Sequence, residues 1–219
     1  FRGTLLADAY GGYDGIVLAQ ELRRAGCWAH ARRKFVDVEK TAPAAARAIL
    51  TLINRLFALE QRLQDLDANE RLRRRQAEAV PLLDTLHALL LEQKAKLLPK
   101  HPLAEAIGYT LNQWRELTLF TTDPAVPIHN NLAEQQMKRI ALLRKNALFA
   151  GSPRGGETAA ILSSLTSTCR RHDINPQTYL TQLLANLPDT PLSQLDNWLP
   201  DRWMKTSATP PASSSTAQP

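Results

Sequence analysis

The first apolar run is short. Residues 3–8, Gly-Thr-Leu-Leu-Ala-Asp, end in an acid and lead into Tyr10-Gly11-Gly12-Tyr13, which predicts a strand and a sharp exit turn. From Asp14 to Arg24, Ile16, Ala19 and Leu22 recur at helical spacing. Gly26 breaks that pattern, and Cys27-Trp28-Ala29-His30 reads as a second short strand. Strand, turn, helix and strand make a partial α/β unit over residues 1–41. The period then turns helical almost throughout. A helix is predicted over 30–40, and Pro43 opens another that carries Ile49, Leu52, Ile53, Leu56 and Leu59. Leu82, Leu83, Leu86, Leu89 and Leu90 mark a third. Pro99 and Pro102 precede a further helix from Leu103 to Phe120, so 42–122 reads as a helical subdomain with its Leu stripe as core.

Pro124 and Pro127 bound a loop, and Asn130 and Asn131 are placed to cap a helix over Leu132–Leu142. Phe149 to Pro153 is a turn, followed by helices near 156–171 and after Pro176, which completes a segment over 123–204. Residues 205–219 are rich in Ser, Thr, Ala and Pro, and with so little apolar surface to bury they are expected to be a disordered tail. The predicted fold class is mainly α with a partial α/β sheet.

Composition narrows the setting. Of 219 residues 44% are hydrophobic, enough for a real core. No apolar run approaches the ~18 residues of a bilayer span, and no signal-peptide pattern opens the chain. No membrane partner is expected. The start at Phe1, already within a strand pattern, suggests a fragment that begins partway through a sheet. Cys27 and Cys169 are too few for a disulfide framework and point to a reducing, cytoplasmic setting. The net charge of +6 favours a polyanionic partner. Between Gln135 and His172 stand Lys138, Arg139, Arg144, Lys145, Arg154, Arg170 and Arg171, opposed only by Glu157. That strip suits phosphates, and a merely solvated basic face is the competing reading.

Two acids are the candidates for chemistry. Asp8 falls at the carboxyl end of a strand, where open parallel sheets place ligands, and its oxygens suit a hard cation such as Mg²⁺. An Asp before a glycine turn also commonly just bonds the turn backbone. Glu134 lies at the edge of a stripe formed by Ala133, Met137, Ile140 and Ala141, a stripe expected to be buried, with Lys138 and Lys145 nearby. Asn131-x-x-Glu134 equally reads as a capping box, and Glu134 can pair with Lys138 one turn on. Cys27-x-x-His30 lacks the further ligands of a zinc site. On a strand its two side chains would point to opposite faces, so His30 reads as structural or site-supporting.

Several blocks, in order along the chain, resemble the IS-sixty-six-type insertion-sequence transposases. They are Leu6-Ala7-Asp8-Ala9-Tyr10-Gly11-Gly12-Tyr13, the run Cys27-Trp28-Ala29-His30-Ala31-Arg32-Arg33-Lys34-Phe35, and Tyr109-Thr110-Leu111-Asn112-Gln113-Trp114. Asn130-Asn131-Leu132-Ala133-Glu134, the run from Arg144 to Gly151, and Leu199-Pro200-Asp201-Arg202-Trp203 complete the series. The resemblance implies a truncated RNase H-like fold interrupted by a helical insertion. It implies a DDE acid triad in which Asp8 is the second Asp and Glu134 the Glu, the first Asp lying upstream. Two Mg²⁺ ions ~4 Å apart would serve DNA cleavage and strand transfer in the complete enzyme. It makes Cys27, His30, Asn130 and Asn131 supports of the site. Arg33, Lys34, Lys138, Arg139, Arg144 and Lys145 become the expected DNA contacts. The partners implied are transposon ends and target DNA, with a homo-oligomer in the synaptic complex, in the cytoplasm of a bacterium and on its nucleoid when DNA is bound. His129, Gln135 and Arg139 depart from the family's usual Asp, Arg and Pro at those places. The rival expectations are an inactive transposase remnant that keeps DNA or subunit binding, and a helical interaction protein.

Overall fold

A short parallel strand pair and eleven α-helices are visible in the computed structural model, which describes residues 2–147 and 149–206. The chain divides into two compact units, residues 1–134 and 135–219. Among the described residues no helix is long and apolar enough to cross a membrane.

The first unit opens with β1 (Thr4–Ala7), α1 (Asp14–Ala19) and β2 (Arg23–Gly26), the strands pairing in parallel from Thr4 beside Arg23 to Ala7 beside Gly26. Two sequence expectations fail here. The helix stops at Ala19 instead of reaching Arg24, and the second strand is Arg23–Gly26, not Cys27–His30. The cause is a Schellman ending without glycine. Glu21 takes φ 50°, the Leu22 amide donates to Val17 O and the Glu21 amide to Leu18 O, which turns the chain into the strand. Gly26 ends β2 against a short helix, α7 (Trp114–Thr118), where a Cβ would meet the Leu117 side chain at 3.1 Å and its amide nitrogen at 3.2 Å. That close approach favours glycine, since a Cβ would press α7 outward by a few tenths of an ångström.

Cys27 to His30 instead starts α2 (Trp28–Asp37), with Cys27 in the extended N-cap position. Trp28, Ala31 and Phe35 recur at helical spacing and are fully buried. They meet Ile49, Ile53, Leu56 and Leu59 of α3 (Pro43–Leu63), Leu83, Leu86 and Leu90 of α5 (Val80–Ala95), and Leu103 and Ile107 of α6 (Pro102–Asn112). The Leu stripe is core, as the spacing predicts.

Between α3 and α5 lies α4 (Ala68–Arg74), capped by Asp67, whose carboxylate accepts from the Asn69 and Glu70 amides. It runs into a π-helical turn over Arg75–Ala79. The wider turn lets Arg75 point inward. Its guanidinium grips the Glu60 carboxylate at 2.8 and 2.6 Å and donates to the carbonyls of Phe120 and Asp123.

The second unit takes up the rest of α8 (Asn131–Ala147), then α9 (Pro153–Arg171), α10 (Pro176–Asn186) and α11 (Pro200–Thr206). Ser152 caps α9 by accepting from the Gly155 amide. A second Schellman ending, with Asp173 at φ 55° and the Ile174 amide on Cys169 O, brings Ile174 onto Cys169. Asn175 then caps α10. Tyr179 closes this small core, its hydroxyl donating to Trp198 O at 2.7 Å and its ring edge-on to Trp203. Of the expected tail, Lys205 and Thr206 end α11, and residues 207–219 lie outside the described residues.

Burial, with a smaller contribution from the neighbouring Cys169, pushes the Tyr179 hydroxyl up to about 12. A raised folded value means that the stabilisation is fully present below the ordinary value near 10 and is lost as pH rises through 12. At ~1.4 kcal/mol per tenfold, about 2–3 kcal/mol is at stake. Titration of tyrosinate absorbance should therefore show one late tyrosine coupled to loss of helix between pH 10 and 12. Tyr179→Phe should remove the late step. A Tyr179 that titrates with the exposed tyrosines contradicts this.

Candidate functional site

Parallel strands end at the same edge, so residues just past their carboxyl ends become neighbours. Beyond the Ala7–Gly26 pair, one strand delivers Asp8 and the other delivers Cys27 and the first turn of α2. The Asp8 Oδ1 accepts from the Tyr10 amide at 3.2 Å, so this acid does bond its own turn. Arg24, which follows on β2, holds that turn from outside. It donates to the carbonyls of Asp8 and Tyr10 and pairs with Asp14. At Gly12 a Cβ would meet the Tyr10 ring, so a side chain there would have to displace that exposed tyrosine.

A third segment arrives from far along the chain. The Trp28 amide donates to Ile128 O at 3.0 Å, and its indole Nε1 donates to Leu117 O at 2.8 Å. The loop before α8 is thereby fastened to the N-terminus of α2. Arg23 pairs with Asp123 in the same loop and holds that carboxyl below its usual range, mainly through their hydrogen bond. The consequence is a contact that spacing could not reveal: His30 Nε2 stands 3.3 Å from Glu134 Oε1.

That contact bears on the alternatives for Glu134. Asn131 is the first residue inside α8, and the Glu134 amide donates to Asn130 O. The Glu134 carboxylate meets His30, and the helix runs to Ala147 rather than Leu142. Asn130 Oδ1 and His30 Nδ1 are buried without hydrogen-bond partners among the described residues. Buried polar groups that lack partners are rare and costly, and one of these belongs to the histidine that meets Glu134. Because Cys27 and His30 sit at the start of a helix, the strand argument about opposite faces does not apply to them. Cys27 is buried.

The expected DNA contacts fall in two groups. Arg33 and Lys34 are exposed on α2, with the Lys34 ammonium 5.3 Å from the centre of the Tyr109 ring. Lys138, Arg139, Arg144 and Lys145 are exposed on the part of α8 that belongs to the second unit. The stripe on that helix is not buried as expected, since Met137 is 61% and Ile140 39% exposed. Among the described residues no group of three or more His, Cys, Asp or Glu is gathered as a metal site. Sequence reading missed Arg24, Trp28 and Arg75, which hold the elements of this region. Each lies in a run whose charge or spacing suits an ordinary surface or core position.

Residues 1–158 match the family described as Transposase IS66 family, and residues 164–200 match the IS66 C-terminal element. The uncharacterized protein y4hP of Sinorhizobium fredii is 36% identical over 226 residues, covering 95% of this chain and 41% of the relative. The uncharacterized protein y4jD of the same organism is 35% identical over 212 residues, covering 93% of this chain and 42% of the relative. The chain thus spans about two fifths of the length of the curated relatives it matches. No solved structure matches it.

Proposed function

The chain belongs to the IS66 family of transposases, and from that premise we propose that it supplies two of the three acids of a DDE enzyme that cuts and joins DNA. The observation that supports the reading is the meeting of His30 with Glu134, His30 lying in the first turn of the helix that follows β2 as Asp8 follows β1. In this reading the acid at the strand end and the acid remote in sequence share one cation and hold it against a phosphodiester.

The donors suit Mg²⁺ in kind, being carboxylate oxygens, but they are only part of a set, since no three ligands cluster among the described residues. Asp8 and Glu134 would hold the ions, with the remaining ligands coming from the rest of the complete protein, water and the DNA. When bound, the ions supply charge neutralisation at the phosphate and at the attacking and leaving oxygens. His30 orients the Glu134 carboxylate, and the Arg24-braced turn fixes Asp8. In this reading β1 and β2 belong to an RNase H-like sheet, because a lone parallel pair leaves strand edges to be covered. The helices from α3 to α7 form the insertion. DNA ends and target are the substrates, a homo-oligomer forms the synapse, and the setting is the bacterial cytoplasm.

The direct test is Mg²⁺-dependent joining of oligonucleotide ends by the complete protein. Joined product is expected. Its absence with Mg²⁺ and Mn²⁺ would leave the second reading, a remnant that binds DNA or subunits without cutting.

DNA affinity should also fall steeply with salt, because phosphate contacts release counterions at about 0.9 per contact in duplex DNA. Lys138→Gln combined with Arg144→Gln should reduce the slope of log affinity against log salt by about 2. Anisotropy of a labelled duplex between 50 and 200 mM salt checks this, and an unchanged slope contradicts it.

A further inference from the structure

A cavity of about 700 Å³ lies in the first unit, between α3 and the loop that leads to α8. That size is within the usual range for small-ligand sites. Its chemistry is unusual for a DNA-handling surface because its two arginines are largely committed to the protein itself. Arg75 gives its donors to Glu60 and to the carbonyls of Phe120 and Asp123. Arg71 gives its own to the carbonyls of Leu63, Gln64 and Leu66. Little is left for a phosphate, since Arg75 is paired with Glu60 and three of the five Arg71 N–H groups are held by carbonyls. Beside these the lining offers neutral groups: the carboxamides of Gln61 and Gln64, and a ring pair in which Phe57 stacks on His129 at 6.0 Å and 19°. The His129 Nδ1 is buried without a hydrogen-bond partner, a cost that a small ring rotation toward a polar guest would relieve. Neutral amides that both donate and accept, beside an aromatic platform, match a flat heterocycle with a polar edge.

Position selects among such heterocycles. His129 lines this cavity and immediately precedes Asn130 and Asn131, one helical turn before Glu134. We propose that the cavity binds a nucleobase turned out of the DNA strand held at the neighbouring acidic edge, with Phe57 and His129 as stacking platform and Gln61 reading the base edge. The proposal rests on the DNA reading above. Turning a base out needs a pocket that repays the lost stacking, and base–aromatic stacking is strong enough to do so.

The test compares two single-stranded 12-mers with equal phosphate counts, dA12 and an abasic 12-mer, by anisotropy with the 219-residue chain. The dA12 strand should bind about tenfold tighter, the scale of one stacked base. Phe57→Leu, which keeps apolar volume against the core, and Gln61→Ala, on an exposed position, should each shrink that ratio toward one. Neither should change affinity for the abasic strand, and Phe57→Tyr should keep the ratio. Equal binding of the two strands, or a ratio that survives Phe57→Leu, overturns the pocket while leaving the DNA reading standing. If neither strand binds in a salt-dependent way, the DNA reading fails and the pocket falls with it. AMP as competitor should displace dA12 only at millimolar concentrations. Displacement at micromolar AMP overturns the assignment to a base on a strand.

Discussion

Asp8→Asn or Glu134→Gln in the complete protein is expected to slow Mg²⁺-dependent DNA joining about a thousandfold, while folding and DNA affinity stay within about twofold. Charge stabilisation by a correctly held metal ion is worth several kcal/mol, and each 1.36 kcal/mol is tenfold in rate. The amide variants separate chemistry from structure. An Asn at position 8 still offers an oxygen to the Tyr10 amide, which now meets Asp8 Oδ1 at 3.2 Å, so the turn persists. A Gln at position 134 keeps the volume beside His30 and the backbone bond to Asn130 O. What each variant loses is the negative charge. Single-turnover joining rates, with anisotropy as the binding control, check this. Wild-type rates in either variant contradict the assignment of that acid.

Arg75→Ala should destabilise the first unit by about 3–5 kcal/mol, a large share of the ~5–15 kcal/mol typical of a whole domain. Arg75 is 2% exposed, and removing it strands the 13%-exposed Glu60 carboxylate and the carbonyls of Phe120 and Asp123 together. The loss reflects orphaned groups more than the net worth of the pair. Arg75→Met with Glu60→Leu, which removes both charges, should therefore cost clearly less than Arg75→Ala alone. Urea unfolding of the three proteins decides the matter. A single-variant loss below 1 kcal/mol would mean that the clamp is dispensable. Since the same guanidinium fastens the 119–123 segment that leads toward α8, the single variant should also weaken the His30–Glu134 contact.

The helices were legible where apolar spacing and a proline start agree, as in α3 from Pro43 and at the start of α6. The single helix expected to Phe120 is instead broken at Gln113 into α6 and α7. The strands were legible only at β1. Arg23-Arg24-Ala25 continues a helical spacing from Ile16, and nothing local announces a reversal at Glu21, because the left-handed residue there is not glycine. Once β2 is displaced, Cys27-Trp28-Ala29 becomes a helix start, and the period of Trp28, Ala31 and Phe35 then has an obvious reading. At the candidate site, Asp8 and Glu134 could be singled out from their local setting and the family likeness. The His30–Glu134 contact could not be derived from spacing. It accompanies the Trp28 amide reaching Ile128 O, a bond across a hundred residues. Arg75 was hidden for a different reason, since in Arg71-Leu72-Arg73-Arg74-Arg75 only the π turn distinguishes the buried guanidinium from its solvated neighbours.

Paramagnetic Mn²⁺ added in small amounts to the isotopically labelled chain reads the geometry of the two acids without requiring turnover. Amide signals around Asp8, from Ala7 to Tyr10, and those around Glu134 and His30 should broaden together, and Asp8→Asn should weaken the effect at both places. Broadening around one acid alone, or at Glu134 undiminished by Asp8→Asn, would show that the two carboxylates do not hold a common ion.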